Sequence, residues 1–185
     1  MRKNIFLGLF LFSIVHLSAQ EQFGPATFTV PAGWQVIRTA NLVTLEKPSQ
    51  KGSVCKIFIS AATKGAVNTE TDYIRYRAAN GGSGIIYPLS KGVPITRYEG
   101  DGLTSFFSIG TTTQSMVSVR SYFYSLSNGS QTFFYQLLTS NNQCINEFNV
   151  FQATLKMETE DGGSTKARAK RKSSGGAPAP PAPIM

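Results

Sequence analysis

"VRSYFYSLSNGSQTFFYQLL", Val119 to Leu138, sets two runs of alternating aromatic, β-branched and polar residues around an Asn-Gly pair, and its reading decides the fold. Runs of this composition on either side of Asn-Gly signal a β-hairpin. Asn128-Gly129 favours a two-residue type I′ turn, in which both central residues take positive φ. That register sets Phe123 opposite Phe134 on one face and Tyr122 opposite Tyr135 on the other, with Arg120 opposite Leu137. Large side chains on both faces require cover on both, and helices are expected to supply it.

Working outward, the strands span Met116 to Leu126 and Gln131 to Thr139. A third, Leu103 to Ile109, follows the tight turn Glu99-Gly100-Asp101-Gly102. Downstream, Ser140-Asn141-Asn142-Gln143 has capping-box spacing, and Cys144, Ile145, Phe148, Phe151 and Leu155 form an apolar helical stripe lasting to about Met157. Upstream, Ile85 to Leu89 and Val93 to Tyr98 are weaker strand candidates. Thr69-Glu70-Thr71-Asp72 opens a helix of about three turns that Asn80-Gly81 stops. Val54 to Ser60 has apolar residues on both faces and reads as a central strand. Phe28 to Val30, Gln35 to Arg38 and Leu42 to Glu46 read as antiparallel strands joined by turns at Pro31-Ala32-Gly33 and Thr39-Ala40-Asn41. Pro48 to Gly52 is a polar turn.

The Phe-x-x-Pro-x-Gly-Trp element of Phe28 to Trp34, followed by hairpin strands, a strand-to-helix step, the aromatic meander and the closing helix "INEFNVFQATLKM", resembles the PsbP-like family over Phe28 to Met157. That family includes the extrinsic subunit of the oxygen-evolving photosystem and a Ran-binding import factor. The resemblance implies an α+β fold with a central antiparallel sheet flanked by helices, an α-β-α sandwich. It also implies an accessory, assembly or binding role, because the family shares no catalytic site to transfer. Some bacterial relatives resemble cytoplasmic chaperones of secreted effectors, a role that a secretory leader argues against. Trp34, directly after the Pro-Ala-Gly turn, is expected to enter the core with its N–H on a backbone carbonyl.

Such a leader is visible at the N-terminus. Arg2 and Lys3 precede an apolar run from Ile5 to Val15 that ends in Ser18 and Ala19, the pattern of a signal peptide over 1–19. The run is too short for a membrane span, so no transmembrane anchor is expected. The folded body is expected over 20–160 and a disordered basic, Pro/Ala-rich tail over 161–185. The product is then periplasmic or secreted. Cys55 and Cys144, the only two cysteines, occupy a compartment where a disulfide persists. Sequence leaves open whether they bridge or remain two buried thiols.

The formal charge of +8 is unevenly placed. Two basic residues lie in the leader and five, Lys166, Arg168, Lys170, Arg171 and Lys172, in the tail, leaving eleven basic against ten acidic residues in the rest, the last acidic one, Asp161, at the body's end. Nucleic acid is therefore not an expected partner of the body, and polyanion contact belongs to the tail. An anionic envelope polymer or lipid headgroup is the chemistry that tail would meet, unless it is merely a solvated charged segment.

The single histidine, His16, lies in the leader, so the mature chain has no Ser-His-Asp or Cys-His arrangement and no histidine zinc site. No metal or cofactor is expected. Glu99 and Asp101 read as a polar turn, Glu70 and Asp72 as helix-capping charges, and Gly81 to Gly84 lacks the Lys-Ser or Lys-Thr of a phosphate loop. The remaining constellation is Arg120 with Tyr122, Tyr124 and Tyr135, amphipathic rings beside a guanidinium, which is the candidate binding surface if no helix covers that face. The function expected is an exported, non-enzymatic binding or assembly protein whose partner is a protein or small ligand. The alternatives are a small secreted hydrolase or lyase using carboxylate, Ser and Lys side chains, and polyanion binding through the tail.

Overall fold

A computed structural model describes residues 20–48, 53–65, 67–80, 93–114, 117–158 and 164–166. The leader, the strand candidate Ile85 to Leu89, the Gly81 to Gly84 stretch and the tail beyond residue 166 lie outside these. The chain runs β1 (Gln20–Phe23), β2 (Ala26–Thr29), β3 (Gln35–Arg38), β4 (Leu42–Glu46), β5 (Cys55–Ser60), β6 (Thr63–Lys64) and α1 (Glu70–Asn80). It continues through β7 (Ile95–Gly100), β8 (Leu103–Gln114), β9 (Val117–Ser127), β10 (Gln131–Thr139), α2 (Asn142–Thr154), β11 (Lys156–Glu158) and β12 (Ser164–Lys166).

Two antiparallel sheets organise these elements. The larger has the order β3-β4-β5-β10-β9-β8-β7, with β6 paired to the end of β10; the smaller has the order β1-β2-β11-β12. The expected α-β-α sandwich is corrected here: among the described residues strand accounts for 55% and helix for 19%, a β-rich fold. Three local facts account for it. β8 runs on from Ile109 to Gln114, because its threonine-rich end still pairs with β9. Residues on both flanks of the folded body, β1 and β12, add strands that no hydrophobic run announced. The last helix stops at Thr154, and Leu155, in extended backbone, hands the chain to β11. The small sheet thus continues past residue 160, the expected end of the body.

Pro31-Ala32-Gly33 does not join neighbouring strands. β2 pairs with β1 and β11, so the segment carries the chain from the small sheet to β3 in the large one. Gly33 takes φ +79°, and the Trp34 N–H closes the turn on the Pro31 carbonyl at 3.2 Å.

The meander forms as expected, with its turn displaced. Asn128 pairs with Gln131, while its side-chain Oδ1 accepts from the N–H groups of Ser130 (3.1 Å) and Gln131 (2.9 Å). The turn therefore centres on Gly129-Ser130, with Gly129 at φ +96°. Opposite residues become Phe123 with Gln136, Tyr124 with Tyr135, Tyr122 with Leu137 and Arg120 with Thr139. Because the register moves by two, every side chain keeps its expected face. At the other end, Asp101 and Gly102 both take positive φ and close the β7–β8 hairpin between Gly100 and Leu103.

The faces carry separate cores. On one, α1 lays Tyr73 against Phe106 and Phe123, and Tyr76 against Phe134. The Thr69 hydroxyl caps α1, accepting from the Asp72 N–H at 3.1 Å. On the other face α2 and β2 pack over β4, β5 and β10, with Phe28, Phe148 and Phe151 fully or almost fully buried.

Candidate functional site

Three ties hold α2 on the sheet. Cys55 of β5 and Cys144 in the first turn of α2 are joined by a disulfide with a Cα–Cα separation of 6.0 Å, which decides between the two states left open by the sequence. Asn141 caps the helix through its side chain, which accepts from the Gln143 N–H at 2.8 Å. The Ser140 hydroxyl, the expected cap, instead accepts from the Val54 N–H at 3.0 Å. Glu147 is the third tie. One of its oxygens accepts from Trp34 Nε1 at 2.7 Å and the other from Lys47 Nζ at 2.5 Å. Trp34 is thus a buried wedge, 7% exposed, but its N–H reaches a carboxylate rather than the expected backbone carbonyl. Partial burial works against ionisation of Glu147, yet the bonds from Lys47, Trp34 and Gln143 outweigh it and hold the carboxyl below its ordinary value.

α2 divides the four candidate binding residues. Tyr135 is buried (4% exposed) under Phe148 and Phe151, with Gln152 Nε2 donating to its hydroxyl at 3.3 Å. Tyr124 is half-buried, stacked on Tyr135 at 4.8 Å and on Phe107 at 4.5 Å. Burial pushes both phenols well above the ordinary tyrosine value, Tyr124 also through its proximity to Tyr135. Tyr122 is half-buried farther along β9. Arg120, also half-buried, donates to Asn142 Oδ1 in the first turn of α2. The surface expected from these four is therefore partly closed: Tyr135 belongs to the core, and the open part lies toward β7.

The register shows what completes that open part. Phe107 lies opposite Tyr124, Ile109 opposite Tyr122, and Tyr98 opposite Ser105 on the same face. Tyr98 and Phe107 are half-buried, and Ile109 is 44% exposed. Beside α2 there is thus a sheet surface of Tyr98, Phe107, Ile109, Tyr122 and Tyr124 with Arg120 at its rim. Sequence reasoning missed Tyr98, Phe107 and Ile109, although the alternation Leu103, Ser105, Phe107, Ile109 already placed three large residues of β8 on one face. What was lacking was the extent of α2's cover.

The acidic residues stand apart. Glu99 pairs with Arg97, Glu21 with Arg38, Glu46 with Lys56 and Asp72 with Arg75, and Asp101 sits exposed at a turn tip. Among the described residues no three His, Cys, Asp or Glu side chains group as metal ligands, and no helix is long and apolar enough to cross a membrane. Of the basic tail run only Lys166 falls within the described residues, in β12 opposite Lys156; Arg168, Lys170, Arg171 and Lys172 lie outside them.

No family model matches the chain, and neither does any curated protein. Among solved structures, a protein from Bacteroides thetaiotaomicron VPI-5482, whose crystal structure was determined at 1.50 Å, aligns with TM-score 0.52 at 15% identity. The alignment covers 78% of this chain and 50% of that one, so the present chain spans half the length of its neighbour, and the likeness is one of fold.

Proposed function

We propose that the chain is an exported, non-enzymatic binding or assembly module that docks a partner on the aromatic surface formed by Tyr98, Phe107, Ile109, Tyr122 and Tyr124. One observation carries the reading: α2 is tied down over half of a sheet face and leaves aromatic side chains half-open on the other half. Tyrosine offers wide contact area with a polar edge and few rotatable bonds, and arginine at a rim adds directional hydrogen bonds. Such residues dominate the energetics of binding surfaces. Export is supported by the leader and by a disulfide that needs an oxidising compartment to persist.

The test is capture of a species from cell-envelope extract on immobilised mature chain, compared with Ile109→Asp and Tyr122→Ser. Ile109 is exposed, whereas Tyr122 is half-buried at the margin of the core, so retention is compared at matched folded fraction. A drop in retention of about tenfold, roughly 1.4 kcal/mol, is expected for each. Equal retention by all three proteins contradicts the proposal.

The basic run Lys166 to Lys172 supports a second reading, contact with anionic envelope polymers, because five of its seven residues are cationic. Each basic residue near an anionic surface contributes about 1 kcal/mol. Replacing Arg168, Lys170, Arg171 and Lys172 with Ser and measuring retention on anionic vesicles at two salt concentrations tests it; retention that does not fall rejects it.

A further inference from the structure

The tail sequence Ala177 to Pro183, APAPPAP, spaces prolines three apart twice over, Pro178 with Pro181 and Pro180 with Pro183. A polyproline II helix has three residues per turn, so these pairs form two ridges on one side of such a helix. Ridges of this kind dock on surfaces lined by aromatic rings, and because little chain entropy is lost the affinity can be useful with few contacts. The chain itself presents a surface of this kind in Tyr98, Phe107, Tyr122 and Tyr124.

Topology places the start of the tail near it. β12 pairs with β11, whose Glu158 carbonyl accepts from Asn128 Nδ2 at 3.0 Å, so the small sheet abuts the β9–β10 turn. The β7–β8 turn lies at the same end of the large sheet, since Thr104 pairs with Ser127, and Leu103 shares a buried cluster with Met157. Ten residues, eleven Cα–Cα steps, lie between Lys166 and Ala177. Extended, they span up to about 40 Å, against a radius of gyration of ~14 Å for a body of this size.

We propose that the Pro-rich segment 177–183 occupies the aromatic surface of its own chain, so that a partner must displace it. The inference rests on the reading of that surface as a docking site. Tethering supplies the segment at an effective concentration in the millimolar range. A contact that is weak between separate molecules is then substantially formed within one.

The test compares amide and methyl NMR spectra of residues 20–185 with those of the P178S/P180S/P181S/P183S variant, whose changes all lie outside the described residues. Shift differences at Tyr98, Phe107, Ile109 and Tyr122 that survive tenfold dilution are expected. A synthetic peptide of residues 175–185 should restore the parent shifts in the variant with a Kd on the order of 1 mM, and should bind the parent chain severalfold more weakly. Identical spectra overturn the proposal, as do differences confined to other surfaces. Differences that vanish on dilution overturn it too, since they assign the occupant to a second copy. If the spectra are identical while Ile109→Asp still loses retention of the envelope species, the tail inference alone fails.

Discussion

Trp34 shows how one side chain can tie a strand entrance to a helix. Its indole fills the core behind β3, and its N–H spends its single donor on Glu147, which Lys47 also engages. Trp34→Phe keeps most of the apolar volume and removes the donor; a loss of about 1 kcal/mol in chemical denaturation is expected. Trp34→Ala leaves a cavity and should cost about 3–5 kcal/mol. The acid side follows from Glu147. Its folded-state value lies below the unfolded one, so its contribution is present above the unfolded value and lost as pH falls through the folded one. Glu147→Gln should therefore flatten stability against pH in the acid range, and an unchanged profile counts against the tie. The alkaline side belongs to tyrosine. Tyr73, Tyr76, Tyr124 and Tyr135 are all pushed upward, first of all by burial. The unfolded chain then releases protons near pH 10 that the folded chain retains, and stability falls as pH rises beyond that point. Absorbance at 295 nm should show these four rings failing to ionise until the protein unfolds.

At the scale of elements, α2 is fixed by its first turn. The Cys55–Cys144 bond closes a loop of 89 residues between a central strand and the start of this helix. Replacing both cysteines with Ala should cost about 2–4 kcal/mol and raise hydrogen exchange in α2 more than in α1, which the bond does not touch. The Asn128 side chain sets the β9–β10 turn, and Asn128→Ala should cost about 1 kcal/mol. Much of this level was legible in sequence. The strands from Gln35 to Ser60 and from Leu103 to Thr139, and the start of α1, follow from alternation, turn chemistry and caps, while α2 is capped one residue later than the Ser140 capping box placed it. The register slip was not legible, since Asn-Gly can form either the centre of a turn or its shoulder, and a side-chain acceptor decides between them. β1, β11 and β12 were not legible either, because short polar strands become strands only when a partner's edge is available.

For the whole molecule, the resemblance drawn from Phe28 to Met157 implied a central antiparallel sheet flanked by helices, an α-β-α sandwich. The strands added on both flanks make the body β-rich instead. The site was legible in part. Arg120 and Tyr122 were placed on the right face, Tyr135 went into the core, and the neighbours Tyr98, Phe107 and Ile109 emerged only once strand order was known. How far a helix shields a sheet face depends on where its ties are, and Cys144 and Glu147 acquire those partners only in the fold. The proposed docking site is the half of this face that α2 leaves unshielded. The direct measurement is photo-crosslinking in intact cells from a benzophenone side chain placed at Ile109, with Val150 on the outer side of α2, also exposed, as the comparison. A discrete adduct from position 109 and none from position 150 is the expected result; an adduct from position 150 with none from 109 contradicts the account.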